Sequence, residues 1–334
     1  MHFFCVLCLF FYFSAQAQVK RYTFSQPKMG SPFTIILYAN DSTTAHITAQ
    51  QSFALVDSLN HIFSDYDESS ELNQLSATAG TDSFVQVSPL LYQIILDSKK
   101  AGQKSSGTFD ITIGPLSHLW RTARREKRFP TSKEIQQAKS KTGFEKVVID
   151  TIYHRIKLTQ KGMQLDLGGI AKGFIAQQVM KFLLAKNITS ALIDAGGDIV
   201  CSNAPPQKSG WTIGINIPEQ TDELLNKTIT LQNKSVATSG DVYQYTIHNG
   251  KKYSHIIDLR TGYGVTFQRN VTVIANDGAT ADWLATACSI LPVKKAKRLV
   301  RQYGADVIIA TMKHQKVQME ISPGINSYWN KKVN

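Results

Sequence analysis

The chain predicts an α+β fold on three observations. Long segments carry apolar residues at helical spacing, and runs rich in β-branched and aromatic residues gather mostly in the second half. No Pro- or Ser-rich linker divides the 334 residues, and no repeat of fixed period is visible. Helices and strands are therefore segregated in part, within one continuous domain.

Phe33–Ala39 reads as a strand, followed by a helical pattern from about Thr44 to Phe63 and a second helix from Pro89 to Ala101. Thr131 followed by Glu134 is a capping-box signature that opens a short helix ending before Gly143. Strands follow at Lys146–Ile149 and Arg155–Leu158. The clearest helix runs from Ile170 to about Lys186, with Ile170, Phe174, Ile175, Val179, Phe182 and Leu183 on one stripe. Short strands come next, at Ala191–Asp194, Asp198–Cys201, Thr212–Ile217, Thr228–Leu231, Val242–Ile247 and Val271–Ala275. Helices return at Ala279–Ile290 and Val293–Tyr303, and strands near Val307–Ala310 and Val317–Ile321 close the chain.

The hydrophobic content of 43% supports a real core. Residues Met1 to Ala17 carry no charged side chain except His2 and end in the small residues Ala15 and Ala17. Such a stretch reads as a cleaved secretory signal over residues 1–17, too short to span a bilayer, with the mature domain at 18–334. The missing Lys or Arg near the start leaves retention as a membrane anchor as the alternative. Cleavage leaves Cys201 and Cys288, whose spacing says nothing of a disulfide.

The net charge of +12 lies largely in Arg121, Arg124, Arg125, Lys127 and Arg128, and in Lys294, Lys295, Lys297, Arg298 and Arg301. Such runs read as solvated faces, or as attraction to phosphates, anionic lipid or an acidic partner. Nucleic acid is excluded as a partner class, because no stacking aromatics interleave with the basic runs.

Asp282 and Thr286 lie four residues apart on one helix face, so a carboxylate and a hydroxyl can reach one hard ion, which suggests magnesium. A first-turn carboxylate with a solvent-facing threonine would look the same. Gln164–Gly173 reads as a strand end, a glycine turn and a helix start; its free N–H groups suit an anion, and Lys172 adds a movable charge. A structural βα turn would use the same glycines, and the spacing is neither a dinucleotide fingerprint nor a Walker loop. Asp194–Asp198 and Ala237–Asp241 read as further turns where backbone can approach a ligand. His255 stands in a strand-like run, where a structural role and a proton-transfer role are both open. No His or Cys spacing supports zinc or haem. Ser105–Leu116 and Phe63–Leu72 set aromatic rings beside acids and hydroxyls, which suits a flat heterocycle and a ribose, or plain capping.

Taken in order, Met29–Phe33, Ser64–Tyr66, Gly107–Leu116, Asp166–Gly173, Asp194–Asp198, Ser239-Gly240, Ser254–Asp258 with Thr261-Gly262, and Thr280–Thr286 resemble the ApbE family of exported FAD:protein FMN transferases. The resemblance covers nearly the whole mature chain. It implies a single T-fold-related α+β domain with a cleft for FAD, taken as substrate. It further implies FAD contacts at Met29, Tyr66, Thr108, Phe109, Asp110, Asp166, Lys172 and Ile257, and Mg2+ ligands at Asp282, Thr286 and Gly169. Gly169 can offer only its backbone carbonyl, where some relatives carry a hydroxyl residue.

The implied reaction is magnesium-dependent transfer of FMN from FAD to a threonine hydroxyl, with AMP leaving. Lys172 would neutralise the pyrophosphate, and Asp282 or His255 would take the hydroxyl proton. The implied partners are periplasmic or otherwise extracytoplasmic subunits of membrane redox complexes carrying an Asp-x-x-Thr sequence, with peripheral proximity to the membrane. Two rivals stand beside transfer: an FAD pyrophosphatase releasing FMN and AMP, and a non-catalytic FAD carrier. The chain's own Asp277–Thr280 loosely matches the acceptor pattern, and helix capping explains the same residues.

Overall fold

The computed structural model describes residues 19–218, 224–240, 245–313 and 316–329. The proposed signal segment and its boundary at Gln18 lie outside these residues, as do Asp241 and the first part of the strand expected at Val242–Ile247.

Side chains that accept the first free N–H groups fix where most helices begin. Strands β1 (Lys20–Lys28) and β2 (Ser31–Ala39) form a hairpin that leads to α1 (Ser42–Phe63), capped by Asp41. Ser70 caps α2 (Glu71–Ala77), and after β3 (Val85–Gln86), Ser88 caps α3 (Pro89–Lys104). Pro115 opens α4 (Gly114–Arg125), where its missing N–H costs nothing. The capping box of Thr131 and Glu134 opens α5 (Ser132–Ser140), as expected. Strand β5 (Arg155–Leu158) lies between β3 and β4 (Val147–Asp150) and pairs with both in a small antiparallel sheet.

The second half begins with α6 (Ala171–Ala185), β6 (Ala191–Ala195), β7 (Ile199–Cys201), β8 (Trp211–Pro218) and β9 (Leu224–Leu231). Then come β10 (Lys234–Gly240), β11 (Tyr245–His248), β12 (Lys251–Ser254), β13 (Ile257–Asp258), β14 (Tyr263–Gly264) and β15 (Arg269–Ala275). Asp277 caps α7 (Gly278–Ile290), and α8 (Val293–Gln302), β16 (Asp306–Lys313) and β17 (Lys316–Ile321) complete the fold.

One antiparallel eight-stranded sheet, ordered β1-β2-β6-β7-β10-β15-β16-β17, organises the domain. Alternation along its strands supplies two cores. Ile35, Ile193, Ala237, Val271 and Val273 face the core built with α1, α3, α6 and α7. Leu192, Val236, Ile274 and Ile308 face the β8–β9 hairpin through Trp211, Ile213, Ile215 and Ile229. A third, aromatic cluster joins α4 and α5 to the β12–β14 region through Leu116, Trp120, Ile135 and Ile257.

The α+β class and the helices expected near Thr44, Pro89, Ser132, Ile170, Ala279 and Val293 are all present. Two expectations are corrected. Ala237–Gly240 is not a turn but the end of β10, paired with β15 inside the sheet. Gln164–Asp166 is not a strand end: the preceding strand stops at Leu158, and the segment runs as a loop whose Asp166 N–H donates to the Ile111 carbonyl at 2.7 Å.

Candidate active site

Two helices meet at their first turns because neither carries a side chain at the contact. A Cβ on Gly173 would lie 2.1 Å from the Gly278 carbonyl oxygen, and one on Gly278 would lie 2.2 Å from that of Gly173. This close approach of α6 and α7 sets Asp282 against the start of α6, where its carboxylate accepts the Gly173 N–H at 3.1 Å. Asp282 is 6% exposed, so it is a buried carboxylate and not the helix-surface group that its spacing alone implied. Burial, reinforced by the negative charge of Asp198, pushes its carboxyl well above the ordinary carboxylate range, with Lys172 and the Gly173 N–H opposing.

Thr286 follows one turn later and meets Gly169. A Cβ at Gly169 would come within 3.0 Å of Thr286 Oγ1, 3.2 Å of its methyl and 3.3 Å of the Phe109 ring. The three expected metal positions therefore share one place, and Phe109, 4% exposed, lies beside them. Among the described residues no three His, Cys, Asp or Glu side chains gather around a metal. The donor set is instead one carboxylate, one hydroxyl and one carbonyl. Such a set fits a hard divalent ion that keeps some water and binds substrate phosphate.

Lys172 is held in place. Its ammonium lies 3.0 Å from Asp198, a carboxylate that is 4% exposed. Burial favours the neutral amine, but Asp198, Asp282 and Asp194 outweigh it and keep Lys172 charged above its usual range. Burial pushes the Asp198 carboxyl upward, and Lys172 offsets that only in part. The Asp194–Asp198 turn thus joins the Lys172 group through a side chain that spacing did not single out. Its backbone is set by Asp194, which accepts the Gly197 N–H at 2.7 Å.

Asp166 links this group to a second one. Its carboxylate accepts the Gly168 N–H at 2.8 Å and the Ser117 hydroxyl at 2.6 Å. Burial and then the Asp166 charge raise the Asp65 carboxyl, which Arg121 meets at 2.5 Å. The Arg121 guanidinium also lies 4.3 Å from the Tyr66 ring centroid, while Tyr66 itself is 78% exposed. Ser117, Arg121 and Asp65 were not among the expected site residues. Pro115 at a helix start was the signal for α4, and helical spacing would then have paired Ser117 with Arg121.

The remaining expected contacts are more scattered. Thr108 is buried, and Asp110, its carboxyl raised mainly by burial, caps a short turn by accepting the Thr112 N–H at 2.8 Å. Met29 sits at positive φ in the β1–β2 turn, at the same end of the sheet as Gly196-Gly197, because Phe33 pairs with Ala195. Ile257 is buried in the aromatic cluster. His255 is exposed in the bend between β12 and β13, not within a strand. Asp277 accepts the Thr280 N–H at 2.8 Å, so capping accounts for the acceptor-like tetrapeptide.

The model of the ApbE family matches residues 29–309 of this chain. The chain belongs to the ApbE family. It is 32% identical to an FAD:protein FMN transferase of Klebsiella pneumoniae (strain 342) over 84% of this chain and 86% of the relative. It is 29% identical to an FAD:protein FMN transferase of Treponema pallidum (strain Nichols) over 91% and 88%. Among solved structures, it superposes on the ApbE protein of Thermotoga maritima with a TM-score of 0.84, at 27% identity, covering 93% of this chain and all of that one. The apo flavinyl transferase ApbE of Pseudomonas stutzeri gives 0.83 at 26% identity, covering 95% and 99%. The ApbE fold thus accounts for the α+β domain and for the order of its site segments.

Proposed function

We propose that the chain transfers the FMN half of FAD to a threonine hydroxyl of an exported acceptor protein and releases AMP. One observation carries this reading: Asp282, Thr286, Gly169 and the paired Lys172 converge where α6 and α7 begin, in a chain of the ApbE family.

Asp282, Thr286 and the Gly169 carbonyl would hold Mg2+, which when bound supplies charge neutralisation at the pyrophosphate. The N–H groups of Gly168, Ile170, Ala171 and Gly173 are already taken by Asp166, Leu167 and Asp282, contrary to the expectation of a free anion cradle, so Lys172, steadied by Asp198, adds the positive charge where the leaving AMP gains negative charge. Tyr66 offers an exposed ring to a flat part of FAD, and the buried Phe109 ring backs Gly169 beside the metal position. The threonine oxygen bonds to the flavin-side phosphorus while the bond from that phosphorus to the bridging oxygen breaks, and AMP leaves with that oxygen. The hydroxyl proton passes to His255, because His255 is exposed to an incoming acceptor whereas Asp282 is buried and already accepts the Gly173 N–H.

Residues 1–17 support an extracytoplasmic location, with Asp-x-x-Thr segments of membrane redox subunits as the acceptors and a mature start at Gln18. The test is incubation of the mature chain with FAD, Mg2+ and an acceptor domain carrying such a segment. Flavin fluorescence should stay with the acceptor in a denaturing gel, and should vanish when its threonine is replaced by valine. Fluorescence that persists after that replacement would contradict threonine as the target.

A further inference from the structure

We infer that Arg121 is a positioning residue that holds the Tyr66 ring as a platform for the flat ring system of FAD; this rests on the transferase reading above. Helix α4 is fixed on two sides. Leu116 and Trp120 anchor it in the aromatic cluster, where the Trp120 Nε1–H donates to the Gly262 carbonyl at 3.0 Å. Ser117 and Arg121, one turn apart on a neighbouring face, reach Asp166 and Asp65.

Arg121 makes two contacts of different kinds. It pairs with the mostly buried Asp65 at 2.5 Å, which fixes the guanidinium, and it lies 4.3 Å from the centroid of the Tyr66 ring. An exposed tyrosine would otherwise sample several rotamers, and ordering it on binding would weaken the complex. A planar cation on one face removes that freedom and leaves the other face open to a heterocycle. Asp65 balances the charge, so the platform presents an aromatic surface and not a bare cation. The basic run Arg121–Arg128 is therefore not uniformly a solvated face.

Arg121→Lys keeps a cation for Asp65 but loses the plane that covers the ring. Its effect should appear in FAD affinity, measured by flavin fluorescence quenching, as a loss of about threefold to tenfold. Turnover at saturating FAD should stay within about twofold, since a platform for the ring acts on binding and not on the phosphoryl step. The deciding readout is a double-mutant cycle: in a Tyr66→Ala background, Arg121→Lys should change affinity by less than about twofold. An equal loss in both backgrounds, no loss in either, or an effect on saturated turnover alone would overturn the inference. If the wild-type chain binds no FAD, the transferase reading falls and takes this inference with it. Binding with an additive cycle overturns this inference alone.

Discussion

The Lys172 ammonium rests 3.0 Å from the buried Asp198 carboxylate, which ties the first turn of α6 to the start of β7. This pair gives Lys172 a role in the fold beside the one proposed for it at the substrate.

Lys172→Ala should separate them. Losing the partner of a buried carboxylate destabilises strongly, but Lys172 is about a third exposed, so the cost should be about 1–3 kcal/mol. Adding Asp198→Asn should restore most of the melting temperature. Turnover should remain depressed by roughly a hundredfold in both variants, while FAD binding falls modestly because the contacts to the rest of FAD persist. Single-turnover assays and thermal melts on the two variants check this. Recovery of turnover by Asp198→Asn would show that Lys172 acts only on stability.

Asp282 allows a similar separation. Asp282→Ala leaves the Gly173 N–H buried without its acceptor and should cost about 1–3 kcal/mol. Asp282→Asn can keep that bond without burying a charge, and should melt at or above the wild-type temperature. Both should lose transfer, and Mg2+ should raise the melting temperature of the wild type but of neither variant. A full Mg2+ response in Asp282→Asn would remove Asp282 from the ligand set.

Gly173→Ala tests the helix crossing. Its new methyl would face backbone, the Gly278 carbonyl at 2.1 Å, which cannot rotate away. Destabilisation of about 3 kcal/mol or more is expected, at the upper end for overpacking. Denaturant titration measures it, and a loss below about 1 kcal/mol would mean that the two helices can part at little cost.

Cys201 and Cys288 are free and buried, with thiols pushed up by burial to about 11 and about 12. The thiolate is the reactive form, so neither should react with a thiol-specific dye at pH 8 in the native chain lacking residues 1–17, and with them Cys5 and Cys8. Both should react after denaturation without reductant. A single native-state equivalent would show that one site opens.

Local signals made much of this fold legible. The capping box at Thr131 and Glu134, the apolar stripe after Ile170 and the 282/286 spacing each depend on neighbours within one or two turns. The misses have tertiary causes. Strand β1 is a polar edge held by pairing with β2, so its own residues give little alternation. Gly240 suggested a turn, yet β10 is determined by flanking strands far away in sequence. Asp198 and Arg121 gained their roles only when folding brought Lys172 and Asp65 to them.

The most direct measurement is the stoichiometry of products. With FAD, Mg2+ and an acceptor domain in excess, AMP release should equal flavin covalently bound to the acceptor threonine, with no free FMN. AMP accompanied by an equal amount of free FMN, and no flavin on the acceptor, would contradict transfer and make the chain a hydrolase.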